Sequence, residues 1–95
     1  MKIIFDERST KFHTDDHNNV VEACNDLLDC KNFYELRGWL YLREVYFALG
    51  LNKESLYINP LLGWDKTQTK DFEFNVTEDP TTKRIEITVN AVALK

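Results

Sequence analysis

The strongest constraint on the fold is an alternation of apolar and polar residues near the end of the chain. Apolar side chains occupy every second position in two short runs, at Phe72, Phe74 and Val76 and again at Ile85, Ile87 and Val89. Residues 78–82 between the runs include Pro80, which suits the second position of a type I turn. A period of two places alternate side chains on opposite faces of a strand, so the pattern predicts a β-hairpin with one buried face.

Three further segments predict strands. Residues 2–6, which contain the apolar run Ile3–Ile4–Phe5, and residues 61–64 are each predicted to form a short strand. Residues 38–41 are predicted to contribute to the sheet. Two helices can cover the buried face of such a sheet. We therefore expect an α+β fold, with a small antiparallel sheet that contains the C-terminal hairpin and packs against two short helices.

The first helix is predicted from Asn18 or Asn19 to about Asp29. Asn19 and Glu22 have the spacing of a capping box. The apolar stripe consists of Val20, Cys24, Leu27 and Leu28, with Ala23 beside it. Acidic side chains at Glu22, Asp26 and Asp29 follow the i, i+4, i+7 spacing, so we expect an acidic outer face.

The second helix is predicted over residues 42–49, with Gly50 as its left-handed stop. Residues 33–36 between the helices are apolar and ambiguous. Among the aromatic residues we expect Trp39, Phe47 and Trp64 in the core. The sequence leaves open whether Tyr34, Tyr41 and Tyr57 are core or interface residues, since exposed tyrosines make good interface anchors.

The charge is unevenly distributed along a chain whose 95 residues suit one domain. Residues 1–30 carry seven acids and three bases, whereas residues 31–95 carry nine of each, so the whole net charge of −4 lies in the first third. Such a surface repels nucleic acid and suits a cation or a basic protein. We expect Glu22, Asp26 and Asp29 to bind a basic partner, and residues 31–95 to form a neutral α+β scaffold.

The chain's four His and Cys residues all lie between positions 13 and 30, at His13, His17, Cys24 and Cys30. Two imidazoles and two thiolates can fill all four positions of a tetrahedral structural zinc site. A small domain is stabilised by such a site, because the free energy of zinc binding contributes to folding. Residues six apart on a helix point about 240° apart, so both thiols reach one ion only if the helix ends before Cys30. Otherwise Asp15, Asp16 or Asp29 replaces one thiol. The competing interpretation has no metal, with Cys24 in the core and the other three solvated.

The sequence predicts neither a catalytic site nor a membrane segment. It contains no P-loop, no nucleophile elbow and no H-E-x-x-H motif. The first residues lack the apolar region of a signal peptide, and no apolar stretch approaches the length of a membrane span. We therefore expect a soluble, intracellular protein that is not an enzyme.

Three short motifs carry a resemblance. They are the segment 45–51, which ends in Leu49–Gly50–Leu51, the segment 61–65 with Leu62–Gly63–Trp64, and the acidic-aromatic segment 71–74. In these motifs, over about residues 38–90, the chain resembles a group of small proteins carried by phages and mobile elements of Gram-positive bacteria. Small acidic phage proteins also resemble anti-CRISPR proteins, which implies a location in the bacterial host cytoplasm.

The resemblance and the charge together suggest a function. The type II RNA-guided nuclease is basic where it grips nucleic acid, so an acidic helix face could dock there and block nucleic acid loading. Our first hypothesis is therefore a non-catalytic inhibitor of a basic host-defence protein, acting as an anti-CRISPR protein. The alternatives are an accessory phage protein that self-associates through its aromatic residues, and a small metal-dependent hydrolase that uses His13, His17 and a nearby acid.

Overall fold

The computed structural model describes residues 1–13, 18–68 and 71–94. The elements in chain order are β1 (Lys2–Phe5), α1 (Asn19–Arg37), β2 (Trp39–Tyr41), α2 (Leu42–Ala48), a 3₁₀ helix (Glu54–Tyr57), β3 (Leu62–Asp65), β4 (Phe74–Glu78), β5 (Ile85–Val89) and β6 (Val92–Ala93). The predicted α+β class and the C-terminal hairpin are confirmed. Among these elements, no helix combines the length and the apolar character that crossing a membrane requires.

The described strands form two antiparallel sheets, where the sequence suggested one. The first sheet has the order β1-β5-β4, and the second has the order β2-β3-β6. In the hairpin, Val76 pairs with Ile87, and the pairing ends with Glu78 opposite Ile85. The buried face of β5 carries Ile85 and Ile87, both fully buried, as the alternation predicts. The connection closes with a hydrogen bond from the Lys83 amide to the Asp79 carbonyl, 2.8 Å long.

Trp64 of β3 joins the two sheets and is fully buried, as the sequence predicts. Its indole packs against Phe72 at a centroid distance of 4.4 Å, and its Nε1 donates to Asn90 Oδ1 at 2.7 Å. The same Asn90 side chain donates to the Asp71 carbonyl and accepts from the Glu73 amide. A buried indole needs a partner for its N–H, and Asn90 supplies it from the end of β5.

Helix α1 is longer than the sequence suggested. Asn18 caps it by accepting a hydrogen bond from the Val21 amide. Gly38 ends it with φ 87°, and the Gly38 amide donates a hydrogen bond to the Tyr34 carbonyl. Its buried stripe is Asn19, Ala23, Leu27, Cys30 and Tyr34. The expected stop at about Asp29 is wrong because Cys30 and Tyr34 continue this stripe into the core. The stripe is also rotated from the expected one, so Leu28 is half exposed and Cys24 lies at its margin.

Two glycines allow a test of this packing. A Cβ at Gly63 would lie 2.3 Å from the Leu40 carbonyl oxygen of the paired strand, whereas a Cβ at Gly38 would meet nothing within 4 Å. We therefore expect Gly63→Ala to lower the free energy of unfolding by about 3 kcal/mol or more, because backbone must move. Gly38→Ala should cost only about 1 kcal/mol, from its left-handed backbone.

Urea denaturation of both variants and of the native protein measures the difference. Equal losses from the two variants would contradict the close approach of β2 and β3 at Gly63.

Candidate binding groove between the two helices

The predicted acidic residues on α1 differ in their surroundings. The Asp26 side chain is only 16% exposed and accepts from Lys11 Nζ at 3.3 Å. The Glu22 carboxylate lies 3.1 Å from His13 Nε2. Asp29 is exposed. The expected outer face is therefore wrong for Asp26, which turns toward the segment before the helix, and the role of these residues in partner binding stays a prediction.

The His and Cys residues do not come together as one four-ligand site in the described part of the chain. Helix α1 continues through Cys30 to Arg37, so Cys24 and Cys30 lie six positions apart on one helix and point about 240° apart. They cannot share an ion in this arrangement. Over 1–13, 18–68 and 71–94, no group of three His, Cys, Asp or Glu residues is placed to hold a metal. His17, Asp15 and Asp16 lie outside the described residues, so zinc held by one thiol and an acid stays a prediction.

One ion pair joins α1 to α2 near the C-terminal end of α2. Lys11 Nζ donates both to Asp26 Oδ1 on α1 and to the Ala48 carbonyl, the latter at 2.7 Å. A single ammonium thus bridges the middle of one helix and the last turn of the other. A cation at a helix C-terminus also interacts favourably with the exposed carbonyl groups there.

A second ion pair joins the C-terminal end of α1 to the first turn of α2. Arg37 Nη2 lies 2.5 Å from Glu44 Oε2, which also accepts from the Tyr41 amide at 2.8 Å. Arg37 Nε donates to the Trp39 carbonyl at 3.0 Å. Arg37 and Glu44 therefore make hydrogen bonds with backbone groups of β2, which is an edge strand of its sheet. The last turn of α2 lies beside the middle of α1, and the first turn of α2 lies beside the C-terminal end of α1, so the two helices run antiparallel.

A groove of about 370 Å³ lies between the helices. Its apolar lining consists of Cys30, Phe33, Leu40, Phe47 and Ala48, and its two carboxylates are Asp29 and Glu44. Cys30 and Leu40 are buried, whereas Phe33 and Phe47 are 53% and 50% exposed. Two phenyl rings therefore flank an apolar floor, and the two ion pairs hold the flanking helices in place.

Aromatic side chains also cluster beside the groove, around Arg37 at the end of α1. The Arg37 guanidinium lies 3.5 Å from the Trp39 ring centroid and 4.8 Å from that of Phe33. Trp39 contacts Tyr41 edge to face at 5.5 Å. Leu36, next to this stack, is 90% exposed. Exposed aromatic residues around a stacked arginine are typical of the residues that dominate protein interfaces.

Two residues expected in the core belong to this surface instead. Trp39 is 41% exposed, because in β2 the inward position falls to Leu40. Phe47 is half exposed, because α2 turns Leu42, Val45 and Tyr46 inward. The groove was therefore missed at the level of sequence, although Phe33 and Arg37 have the i, i+4 spacing at which an aromatic ring and a guanidinium stack on a helix.

Comparison with known proteins identifies no relative, since a scan against protein-family models and searches of curated proteins and of solved structures all find no match. The resemblance to phage proteins therefore stays a prediction. Any assignment of function rests on the geometry and the charges of the groove.

The two cysteines should differ in reactivity. Burial, reinforced by the nearby Asp26 and Asp29 carboxylates, raises the pKa of the Cys30 thiol to about 12. At pH 8 only about one Cys30 in ten thousand is then a thiolate, the reactive form. Cys24 is only partly buried. We expect iodoacetamide to label Cys24 in the folded protein and to leave Cys30 unmodified, with both labelled in urea; equal labelling in the folded state would contradict this placement.

Two carboxylates with little exposure to solvent, Asp26 and Asp6, should respond oppositely to neutralisation. Burial raises the pKa of Asp26, which Lys11 only partly offsets. Burial would also raise the pKa of Asp6, but hydrogen bonds from Arg8 and the charges of Arg8 and Arg84 hold it below its ordinary value. Ionised Asp26 therefore opposes folding as the pH rises above 3.8, whereas ionised Asp6 stabilises the fold there and loses that effect as the pH falls through its lowered pKa.

At pH 7 we thus expect Asp26→Asn to leave the free energy of unfolding unchanged or higher. Asp6→Asn should lower it by about 1–3 kcal/mol, because charged hydrogen bonds are lost. Both differences should shrink as the pH falls well below 3.8. Thermal unfolding at pH 7 and pH 3 measures them. A large loss from Asp26→Asn at pH 7 would mean that the ion pair with Lys11 outweighs the burial of the carboxylate.

Proposed function

We propose that this protein is a non-catalytic binding domain that recognises a partner protein through the groove between α1 and α2. The observation that carries the proposal is the pair of half-exposed rings, Phe33 and Phe47, on either side of an apolar floor. Ion pairs made by Lys11 and Arg37 join the helices on both sides of this floor. A groove formed before binding loses less conformational entropy when it is occupied.

The chemistry of the groove favours binding over covalent catalysis. Its nucleophilic side chain, Cys30, stays a protonated thiol at neutral pH, because burial raises its pKa to about 12. The apolar lining carries its charge at the margin, on Asp29 and Glu44. Apolar contact at the centre with polar groups at the rim is the usual arrangement of a protein interface.

The charge of the chain supports a basic partner. The net charge of −4 belongs to residues 1–30, and Asp29 from this segment lies at the groove. Electrostatic complementarity speeds association with a basic surface and disfavours nucleic acid. A type II RNA-guided nuclease has such a surface where it binds its guide and target. We propose that the protein comes from a phage or mobile element and inhibits this nuclease inside the bacterial host.

The proposal predicts that the purified protein slows DNA cleavage by a type II nuclease when it is added before the guide RNA. Phe33→Ala and Phe47→Ala should each raise the inhibitory concentration at least about tenfold, which corresponds to about 1.4 kcal/mol of binding free energy. Asp29→Lys should have a similar effect through charge reversal.

A matched control is Leu56→Ala, because Leu56 is 69% exposed on the 3₁₀ helix and does not line the groove. Its inhibition should equal that of the native protein, and circular dichroism should show all variants folded. No inhibition by the native protein would remove the nuclease as the partner, and unchanged inhibition by both phenylalanine variants would remove the groove as the binding surface.

Asp29 is a cleaner site for charge reversal than its neighbours on α1. Reversing Asp26 would place a second ammonium against Lys11, and reversing Glu22 would place one against His13. A loss of binding in either variant would then mix partner contacts with a disturbed N-terminal segment. Asp29 is exposed, so its reversal changes the groove and leaves these two pairs intact.

A further inference from the structure

We infer that the segment seated in the groove is a short amphipathic helix of the partner that carries one apolar anchor and a Lys or Arg beside it. This inference rests on the proposed function and specifies the occupant. Helix-in-groove recognition uses anchor side chains spaced by three or four residues on one helix face. In the groove, such a helix would pack as a third helix against the antiparallel helices α1 and α2.

The dimensions of the groove limit the length of the occupant. Helix α2 has seven residues, so it presents a wall of about 10 Å. Lys11 bridges the helices toward one end of this wall and Arg37 toward the other. About two helical turns of a partner can therefore contact both walls. A volume of about 370 Å³ is at the small end of protein binding pockets, so it accommodates an anchor of one or two side chains.

The charges around the groove determine where a cation of the occupant belongs. Glu44 is already neutralised by Arg37, and Asp26 by Lys11. The Asp29 carboxylate makes no hydrogen bond or ion pair with any side chain that the structure describes, and Asp29 lies at the groove. Lys31 is two positions further along α1 and so points to a different face of the helix. An ammonium or guanidinium next to the anchor therefore complements Asp29.

The same charges exclude an acidic occupant. A carboxylate or phosphate next to the anchor would meet Asp29 and lose its own hydration without a compensating partner. The floor offers a protonated thiol, a leucine and an alanine, none of which stabilises an anion. The groove should thus discriminate between basic and acidic helices that carry the same anchor.

The test uses the full-length protein and three synthetic 14-residue peptides. The first carries a Leu-x-x-Phe anchor with four Lys residues, the second replaces every Lys by Glu, and the third keeps Lys but replaces the anchor by Ala. Titrations are followed by the backbone amide signals of the ¹⁵N-labelled protein. We expect the first peptide to shift signals of Phe33, Phe47 and Ala48, and the other two to leave them in place at the same concentrations.

Two protein variants complete the test. Asp29→Asn should weaken binding of the first peptide about fivefold, which corresponds to about 1 kcal/mol for one ion pair in water. Glu73→Gln is the matched control, because Glu73 is an exposed acid that borders a different cleft, next to Phe74 and Asn90. It should bind the peptide as the native protein does.

Several outcomes would overturn the inference. Equal binding of the Lys and Glu peptides would remove the role of Asp29, and equal binding of the anchor-free peptide would show attraction by charge alone. Signals at the groove that shift with protein concentration and no peptide would identify a second copy of this chain as the occupant. Nuclease inhibition that requires Phe33, together with no peptide binding, would reject this occupant while the proposed function stands. Peptide binding without nuclease inhibition would keep this occupant and remove the nuclease as the partner.

Discussion

The structure depends on the continuous burial of one stripe along α1. Ala23, Leu27, Cys30 and Tyr34 enter the core in succession, and this contact carries the helix eight residues beyond Asp29 to Arg37. Burying a large apolar side chain contributes about 1.5–3 kcal/mol to stability. This exceeds the few tenths of a kcal/mol by which the low helix propensity of a polar residue such as Asn32 destabilises the helix. The groove depends on this length of α1. A helix that ended at Asp29 would present neither Phe33 nor Arg37.

The ion pairs of Lys11 and Arg37 act mainly by fixing geometry. Partly exposed ion pairs contribute about 0–1 kcal/mol each, so the apolar core supplies most of the free energy of folding. Their main effect is to hold the two helices and the rings beside Arg37 in fixed positions. Lys11 ties the helices by bonding a carboxylate and a carbonyl at once, and Arg37 is held by Glu44, by the Trp39 carbonyl and by two rings. An arginine with this many partners has few alternative rotamers, which keeps the adjacent rings in one arrangement.

The sequence predicts those parts of the fold that depend on local patterns. The hairpin follows from strict alternation at Phe74–Glu78 and Ile85–Val89, and Gly50 ends α2 through its left-handed backbone, with φ 72°. Strand β6 has two residues and therefore no detectable period. The true face of α1 was missed because Cys24 and Cys30 are equally apolar by type, and only the position of the sheet decides which one is buried. The groove combines residues of α1, β2 and α2, so it exists only at the tertiary level.

The structure also changes how the acidic excess of the first thirty residues should be interpreted. Asp6 binds Arg8 and Arg84, Glu22 faces His13, and Asp26 holds Lys11. These acids are engaged within the protein, and at physiological salt exposed charges act over only about 8 Å. A partner therefore senses the acids close to its contact surface more than the total charge of the segment. Asp29 is the member of the predicted acidic set that lines an apolar groove, so the proposed recognition of a basic partner depends on this carboxylate more than on the total charge.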